Sequence, residues 1–487
     1  MTIFDEIIAA STEVEALNNY IDNNFHKIYD YFTWGRDEDL NIDLHKIQDY
    51  ITSRRILILS LPTNEYNLSF LTLLLEIAER LSLSSQFSYL FNFLKEQNHI
   101  IPQRLHASAK YLVGIKTDKA YLNCYDAMYQ ELKKSLDEEE DDANKVLITI
   151  VNYYLKAIQD FGKFNIAVAQ HIKAKLEHSI AEDENSFLNR PLIWDITKTN
   201  LDSYKAAAIH IRQLLDEFLN RGIPEIDRIE GFLIESDSSY SKSIKEIPTN
   251  FTSLRDHCKE LYKTCDNDKI YQSLQHGVSI LTEECQLYGY FYSFGQMHYH
   301  KMIEASQYLP NGLFEKKVNL VDWGCGQGLG TIVLIEQVQN RGIKISNCQS
   351  FLIEPSKLAL KRASLHVTKY SPGLQIITIN KVFDLLTLHD FKEIKGGHFV
   401  HIFSNVLDMN LFSLTALIEL IKERFKGCNY FVIVSPFRDS IIRSKIDSFV
   451  NAFSGLSEFE IISKIDSRAH QWKYHWTRIQ RVFKVVI

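Results

Sequence analysis

Residues Asn319-Leu-Val-Asp-Trp-Gly-Cys-Gly-Gln-Gly-Leu-Gly-Thr331 read as a buried strand that breaks into a glycine-rich turn and restarts as a helix. Val318, Leu320 and Val321 supply the strand. Gly324, Gly326, Gly328 and Gly330 let the backbone turn tightly and approach a ligand where no side chain would fit. Thr331-Ile-Val-Leu-Ile-Glu-Gln-Val338 continues as a mostly apolar helix able to pack back on a sheet. A glycine turn alone is loop punctuation as readily as a cofactor cradle. Asp322, two residues before the first glycine, separates the readings. A pyrophosphate site offers glycine amides and a helix N-terminus to negative charge, so a carboxylate inside the turn opposes it. That disfavours a nicotinamide-dependent dehydrogenase.

An acidic turn suits instead a ligand with a positive centre and no phosphate, and S-adenosylmethionine carries an ammonium and a sulfonium beside a ribose. In the spacing of Asp322, Gly324, Gly326 and Gly328 the stretch resembles motif I of the class I S-adenosylmethionine-dependent methyltransferases. Ser350-Phe-Leu-Ile-Glu-Pro-Ser356 is a second short apolar strand ending in Glu354, whose carboxylate can accept two bonds from a ribose diol. Glu354 looks like the family's ribose-binding acid; its plain alternative is a solvated strand-end carboxylate. The 32 residues from Asp322 to Glu354 exceed the spacing expected of the family and imply an insertion around Ile343 to Gln349.

Further strands are expected at Leu374–Ile379, His398–Phe403, Tyr430–Val434, Phe459–Lys464 and Arg478–Ile487, with helices over Lys357–Thr368 and Leu411–Phe425 between them. Alternating strands and helices imply a parallel sheet with helices on both faces. The resemblance implies a Rossmann-like, seven-stranded, mostly parallel sheet over residues 286–487, its last strand antiparallel. In such sheets ligands bind beyond the carboxyl ends of the strands, where Asp322, Glu354, Asn380 and Ser404-Asn405 would converge. The implied cofactor contacts are Asp322, Gly324, Cys325, Gly326, Gly328, Glu354 and Asn380, with Asn380 near the adenine amine or else capping a loop. Ser404-Asn-Val-Leu-Asp408 stands where the family addresses the methyl acceptor, which makes Asn405 a candidate. It is not the Asp/Asn-Pro-Pro-aromatic signature of many nucleobase amine methylases. Tyr288-Gly-Tyr-Phe-Tyr-Ser-Phe-Gly-Gln-Met-His-Tyr-His-Lys301 reads as an aromatic helix before the first strand, offering Tyr292, His298 and His300 as groups to close the site or take a proton.

Residues 1–285 hold six of the 19 glycines and read as helices with short connections, in segments such as Tyr89–Tyr111, Tyr121–Leu136 and Ala143–Leu176. They suggest a large all-α region of stacked pairs, solenoid-like but without a repeat consensus. Two breaks stand out: the acidic run Asp137–Asp142 and the polar, linker-like stretch Glu235–Ser243. Residues 290–487 carry 24 basic against 16 acidic side chains, and residues 1–289 carry 30 against 45. The basic half suits an anionic substrate such as RNA, the acidic helical half a partner protein. The aromatics of His470–Trp476 suit base stacking or, more simply, cover for a sheet edge. The seven cysteines form neither a zinc pattern nor a disulfide framework. No apolar run is long enough for a membrane span, and the acidic start suggests no targeting peptide, so cytoplasm is the expected compartment. The expectation is a methyltransferase with an unidentified acceptor; the alternative is a non-catalytic, cofactor-binding scaffold.

Overall fold

The computed structural model describes all residues except 1, 35, 36, 116, 139–142, 183–185, 220–230, 275, 276, 278, 344, 346, 347, 393, 395, 396, 411 and 469. The chain divides into two compact units. One comprises Met1–Pro224 together with Arg438–Ser444, and the other comprises Glu225–Phe437 together with Lys445–Ile487. This division and the change in glycine usage at residue 285 do not coincide, because the described residues of 231–285 belong to the second unit.

The first unit is helical: α1 (Ile3–Ala10), α2 (Val14–Tyr29), α3 (Asp37–Ser53), α4 (Arg55–Leu59), α5 (Glu65–Arg80), α6 (Ser84–Glu96), α7 (Gln103–Leu112), α8 (Asp118–Asn123), α9 (Tyr125–Glu138), α10 (Ala143–Phe161), α11 (Ala167–Glu182), α12 (Pro191–Thr197) and α13 (Tyr204–Leu219). The three long helical segments of the sequence are each interrupted, after Glu96, at Cys124 and after Phe161. At the last of these, Gly162 lies so close to Tyr204 that an added Cβ would sit 2.6 Å from the tyrosine Cβ. Buried apolar faces make one core, in which Tyr121 and Tyr153 stack at 4.7 Å. Each of these hydroxyls donates to the other residue's carbonyl oxygen, so the buried polar ends are paired. Most of the acidic run, residues 139–142, lies outside the described residues.

The second unit is built on a seven-stranded sheet: β1 (Val318–Trp323), β2 (Cys348–Ile353), β3 (Gln375–Ile379), β4 (Gly397–Ser404), β5 (Gly427–Ser435), β6 (Ser457–Ser467) and β7 (Arg478–Val486). Their order is β3-β2-β1-β4-β5-β7-β6. The first five are parallel, and β7 runs antiparallel between β5 and β6. This is a Rossmann-like arrangement of seven strands, mostly parallel, with the last strand antiparallel as expected. All six residues of β1 are buried, as a central parallel strand requires. Alternate residues of β4 face opposite layers. Ile402 meets α18 (Leu329–Asn340) at Gly330, while His401 and Phe403 meet Phe425 after α20 (Leu414–Arg424) and Phe449 of α21 (Ser440–Asn451). On that aromatic face Trp323 Nε1 donates to His401 Nδ1 at 3.1 Å, and His401 Nε2 in turn donates to Asn429 Oδ1 at 3.0 Å.

Two expectations are corrected. Glu235–Ser243 is not a solvated linker: Ser238 caps α14 (Ser239–Ser243), Tyr240 is buried, and Glu235 pairs with the fully buried Arg362 of α19 (Lys357–Tyr370). The Arg362 guanidinium lies 3.5 Å from the Tyr240 ring centroid, so the cation is held by a carboxylate and a π-face together. Nor are all cysteines unpaired. Cys265, just past α15 (Phe251–Tyr262), is bonded to Cys285 at the start of α17 (Glu284–Ser306), closing a loop that contains α16 (Asn267–Ser273). Among the described residues no helix is long and apolar enough to cross a membrane.

Candidate functional site

Register places the site. Trp323 pairs with Ile353 and Phe403, and Ile353 with Ile379, so β1, β2, β3 and β4 end level with one another. Glu354, Asn380 and Asn405 therefore stand one or two residues beyond a common edge, around the turn that follows Trp323.

Gly324, Gly326 and Gly328 have φ of 64°, 52° and 78°, a left-handed run closed to most side chains. A Cβ at Gly324 would meet Val406 Cγ2 at 2.7 Å, whereas one at Gly326 would meet nothing within 4 Å. The backbone is open for approach at Gly326. Asp322 is buried, and its Oδ2 accepts from Thr331 N at 3.0 Å and from Thr331 Oγ1 at 2.7 Å. It thus caps the first turn of α18 from beneath the glycine turn, a position its place in the sequence does not disclose. Burial pushes the carboxyl up to about 6 against the lowering effect of those two bonds.

Glu354 joins strand tip to turn. Its Oε2 accepts from Gly326 N at 3.0 Å and its Oε1 from Ser356 N at 2.9 Å. Burial first, and the Asp322 charge in addition, push it up to about 7 despite those two bonds. Asn380 does cap a loop: its Nδ2 donates to the carbonyls of Glu354 and Pro355 at 2.9 and 2.8 Å. Its Oδ1 is buried without a hydrogen-bond partner among the described residues, which leaves an acceptor for a donor-bearing ligand. The Cys325 thiol is buried, and burial with the neighbouring Asp322 and Glu354 charges keeps it protonated.

The opposite wall is α17. A cavity of about 30 Å³ is lined by Tyr290, Phe291, Gly295 and His298 from this helix, by the glycine turn from Asp322 to Gly330, and by Ser404. Of the three helix residues singled out in the sequence, only His298 faces it. Tyr292 turns away, its ring 4.8 Å from the Arg255 guanidinium and its carbonyl accepting from Arg255 Nε at 3.0 Å. His300 stacks on Tyr474 at 3.9 Å and approaches Trp476, so the C-terminal aromatics cover α17. Tyr290 was missed. The signal was there in the helical spacing: two steps of four, through Phe294, carry one face of α17 from Tyr290 to His298.

His298 and Asn405 do come together. Asn405, with φ of 55°, turns its side chain so that Nδ2 donates to His298 Nε2 at 3.0 Å, while Lys301 Nζ reaches Asn405 Oδ1 at 3.5 Å. The lysine fixes the amide orientation, so Nε2 of His298 is an acceptor and Nδ1 carries the proton. Nδ1 then donates to Ser404 Oγ at 3.0 Å, and the Tyr290 hydroxyl lies 3.2 Å from Nε2, whose one lone pair Asn405 already engages. Burial and the nearby Lys301 charge bring the imidazole down to about 3. With its lone pair engaged and its basicity lowered, His298 orients its neighbours and is a poor base.

The turn is tied to both flanking helices through Gln327. Its Nε2 donates to Leu287 O of α17 at 2.9 Å, and its carbonyl accepts from His366 Nδ1 of α19 at 2.9 Å. Tyr240 then donates to His366 Nε2 at 2.8 Å, so α14 is a third support.

No protein-family profile matches the chain, and no curated protein matches it in sequence. Solved structures do. The plantazolicin methyltransferase BpumL in complex with SAH is matched at 12% identity over 48% of this chain and 98% of that one, with a TM-score of 0.29. A putative class I S-adenosylmethionine-dependent methyltransferase from Listeria monocytogenes is matched at 10% identity, covering 69% and 88%, with a TM-score of 0.30. The O-methyltransferase TomG from Streptomyces achromogenes, in complex with SAM, is matched at 9% identity, covering 45% and 88%, with a TM-score of 0.27. These three structures are named as methyltransferases, one of them a putative class I enzyme, and at these scores the resemblance adds nothing to the strand order and strand-end geometry.

Proposed function

We propose that the second unit binds S-adenosylmethionine and transfers its methyl group by in-line displacement. The observation that carries this reading is the level ending of β1, β2, β3 and β4, which gathers Asp322, the open Gly326 backbone, Glu354, Asn380 and Asn405 at one edge. The glycine amides and Asp322 would face the amino-acid end of the cofactor, Glu354 its ribose, and the free Asn380 Oδ1 its adenine amine. Transfer forms a bond from the acceptor lone pair to the methyl carbon as the carbon–sulfur bond breaks, its electron pair staying on a neutral thioether; the acceptor's proton, if it has one, passes to water. Such chemistry needs alignment above all, and proximity contributes roughly 7–11 kcal/mol. That fits a site whose histidine positions its neighbours. A nucleoside is far larger than the present cavity, so Tyr290 and Phe291 must move aside as it binds.

The acceptor is RNA, protein or a small molecule; the basic C-terminal half favours an anionic one. Isothermal titration of the purified chain with S-adenosylmethionine and S-adenosylhomocysteine tests the first step, and absence of binding for both ends the proposal. Transfer of labelled methyl into cell extract, separated into RNA, protein and small molecules, then identifies the acceptor. Cofactor affinity with label in no fraction would point to a non-catalytic scaffold.

A further inference from the structure

The loop that the Cys265–Cys285 bond closes lies behind one wall of the cavity. Gly277, with φ of 93°, comes so close to Tyr290 that an added Cβ would sit 3.1 Å from the ring's Cε2. Leu274 and Leu281 of the loop form a small apolar core with Leu287 of α17 and Ala359 of α19, and Tyr290, Phe294 and Leu358 pack against it. The loop also reaches the strand tip: Leu281 O accepts from Ser356 Oγ, and Ser356 N donates to Glu354 Oε1 at 2.9 Å. It is tied to α17 by the disulfide and by Gln286, whose Nε2 donates to Ser273 Oγ at 3.0 Å and whose Oε1 accepts from Thr282 N at 2.8 Å.

Tyr290 thus has the cavity on one side and Gly277 on the other, so a nucleoside entering the cavity drives the ring into the loop. Resting on the proposed cofactor function, we infer that the Cys265–Cys285 bond is a redox latch on this site. Closed, it holds the loop against Tyr290 and restricts entry; open, it lets the loop yield. The small core of the loop is separate from the main core of the unit, so the loop can give way while the sheet stays intact. Both cysteines are partly exposed, within reach of a dithiol. A thiolate of the dithiol attacks one sulfur, breaking the Cys265–Cys285 bond and forming a mixed disulfide, and its second thiol then displaces that cysteine. The protein's disulfide gains two electrons and the dithiol's two protons, and the dithiol is left as a disulfide.

Titration calorimetry of the full chain with S-adenosylhomocysteine, before and after reduction by dithiothreitol, tests the latch. The reduced protein should bind about three- to tenfold more tightly, as expected when the open population rises by that factor. A double variant, Cys265→Ser with Cys285→Ser, should match the reduced protein and ignore the reductant, which separates this pair from the other cysteines; the wild-type comparison stands without it. Equal or weaker binding after reduction overturns the latch. So does a bond that dithiothreitol leaves intact in the folded protein, read by thiol alkylation and mass spectrometry. Hydrogen exchange needs no ligand: amides of residues 279–290 should exchange faster in the reduced protein, and unchanged protection overturns the release of the loop. Faster exchange on reduction with no binding in either state would instead bring down the function on which the inference rests.

Discussion

Glu354 combines two demands that oppose each other. Two backbone amides hold its carboxylate in place, yet burial keeps its proton on until about pH 7. In the proposed function only the ionised form can accept both ribose hydroxyls, so affinity for S-adenosylhomocysteine should climb as pH rises from about 6 to 8; a flat profile by titration calorimetry would contradict this. Glu354→Gln should weaken binding about ten- to hundredfold, the range for one charge-assisted bond, since an amide cannot accept from Gly326 and Ser356 together. Sequence disclosed the place of this residue at the tip of β2, because an apolar strand that ends in a carboxylate fixes that address. It disclosed Asp322 less well: period and spacing give a backbone address, but the rotamer that turns its oxygens onto Thr331 follows from the start of α18 behind it. Tyr290 and Tyr292 differ in the same way. Both are aromatic residues of one helix, and only packing decides which faces the turn.

At the scale of elements, alternation of apolar strands and helices was legible because the central strands β1, β2, β4 and β5 are made of residues chosen for a buried sheet. What composition concealed was α14. A serine-rich stretch reads as solvated, yet one tyrosine and one glutamate suffice to bind it to Arg362. Removing the guanidinium would leave the buried Glu235 carboxylate without its cation, held only by the Ser238 hydroxyl, and Arg362→Met should cost about 3–5 kcal/mol in urea unfolding of the second unit. A loss below about 1 kcal/mol would mean that water already reaches the pair. The Cys265–Cys285 bond had no sequence signal either, since 20 residues separate two cysteines that fit no framework. Peptide mapping without reductant should recover them linked, and the double serine variant should lose about 2–4 kcal/mol as the loop regains its freedom.

Across the whole molecule, titration of buried groups sets where the fold is most stable. His99, His298, His366 and His401 are held by burial at about 4, 3, 3 and 4, so each resists protonation that the unfolded chain accepts near pH 6.5. Their contribution is complete above that pH and is lost as pH falls toward the folded values. Asp322 and Glu354 act in the opposite sense, holding protons in the fold that the unfolded chain has released, so their contribution shrinks as pH rises toward about 6 and about 7. Four histidines outweigh two carboxylates, and the melting temperature should rise from pH 4.5 to 6.5 and then level off; calorimetry showing a steady decline over that range would refute the balance. Whole-molecule organisation was the least legible scale, because composition shifts mark changes in secondary structure whereas compact units follow contacts.

Residues 438–444 belong to the first unit although more than two hundred residues separate them from the rest of it. There Ser440 and Ser444 bond to Ser69, Ser440 also meets His99, and Arg443 pairs with Glu65. Translation therefore delivers the helical unit in two instalments, the second only when the sheet is nearly finished. A nascent chain halted before that point carries a helical unit with these partners still missing, and a gene cut at the boundary near residue 224 makes the same unfinished product permanently.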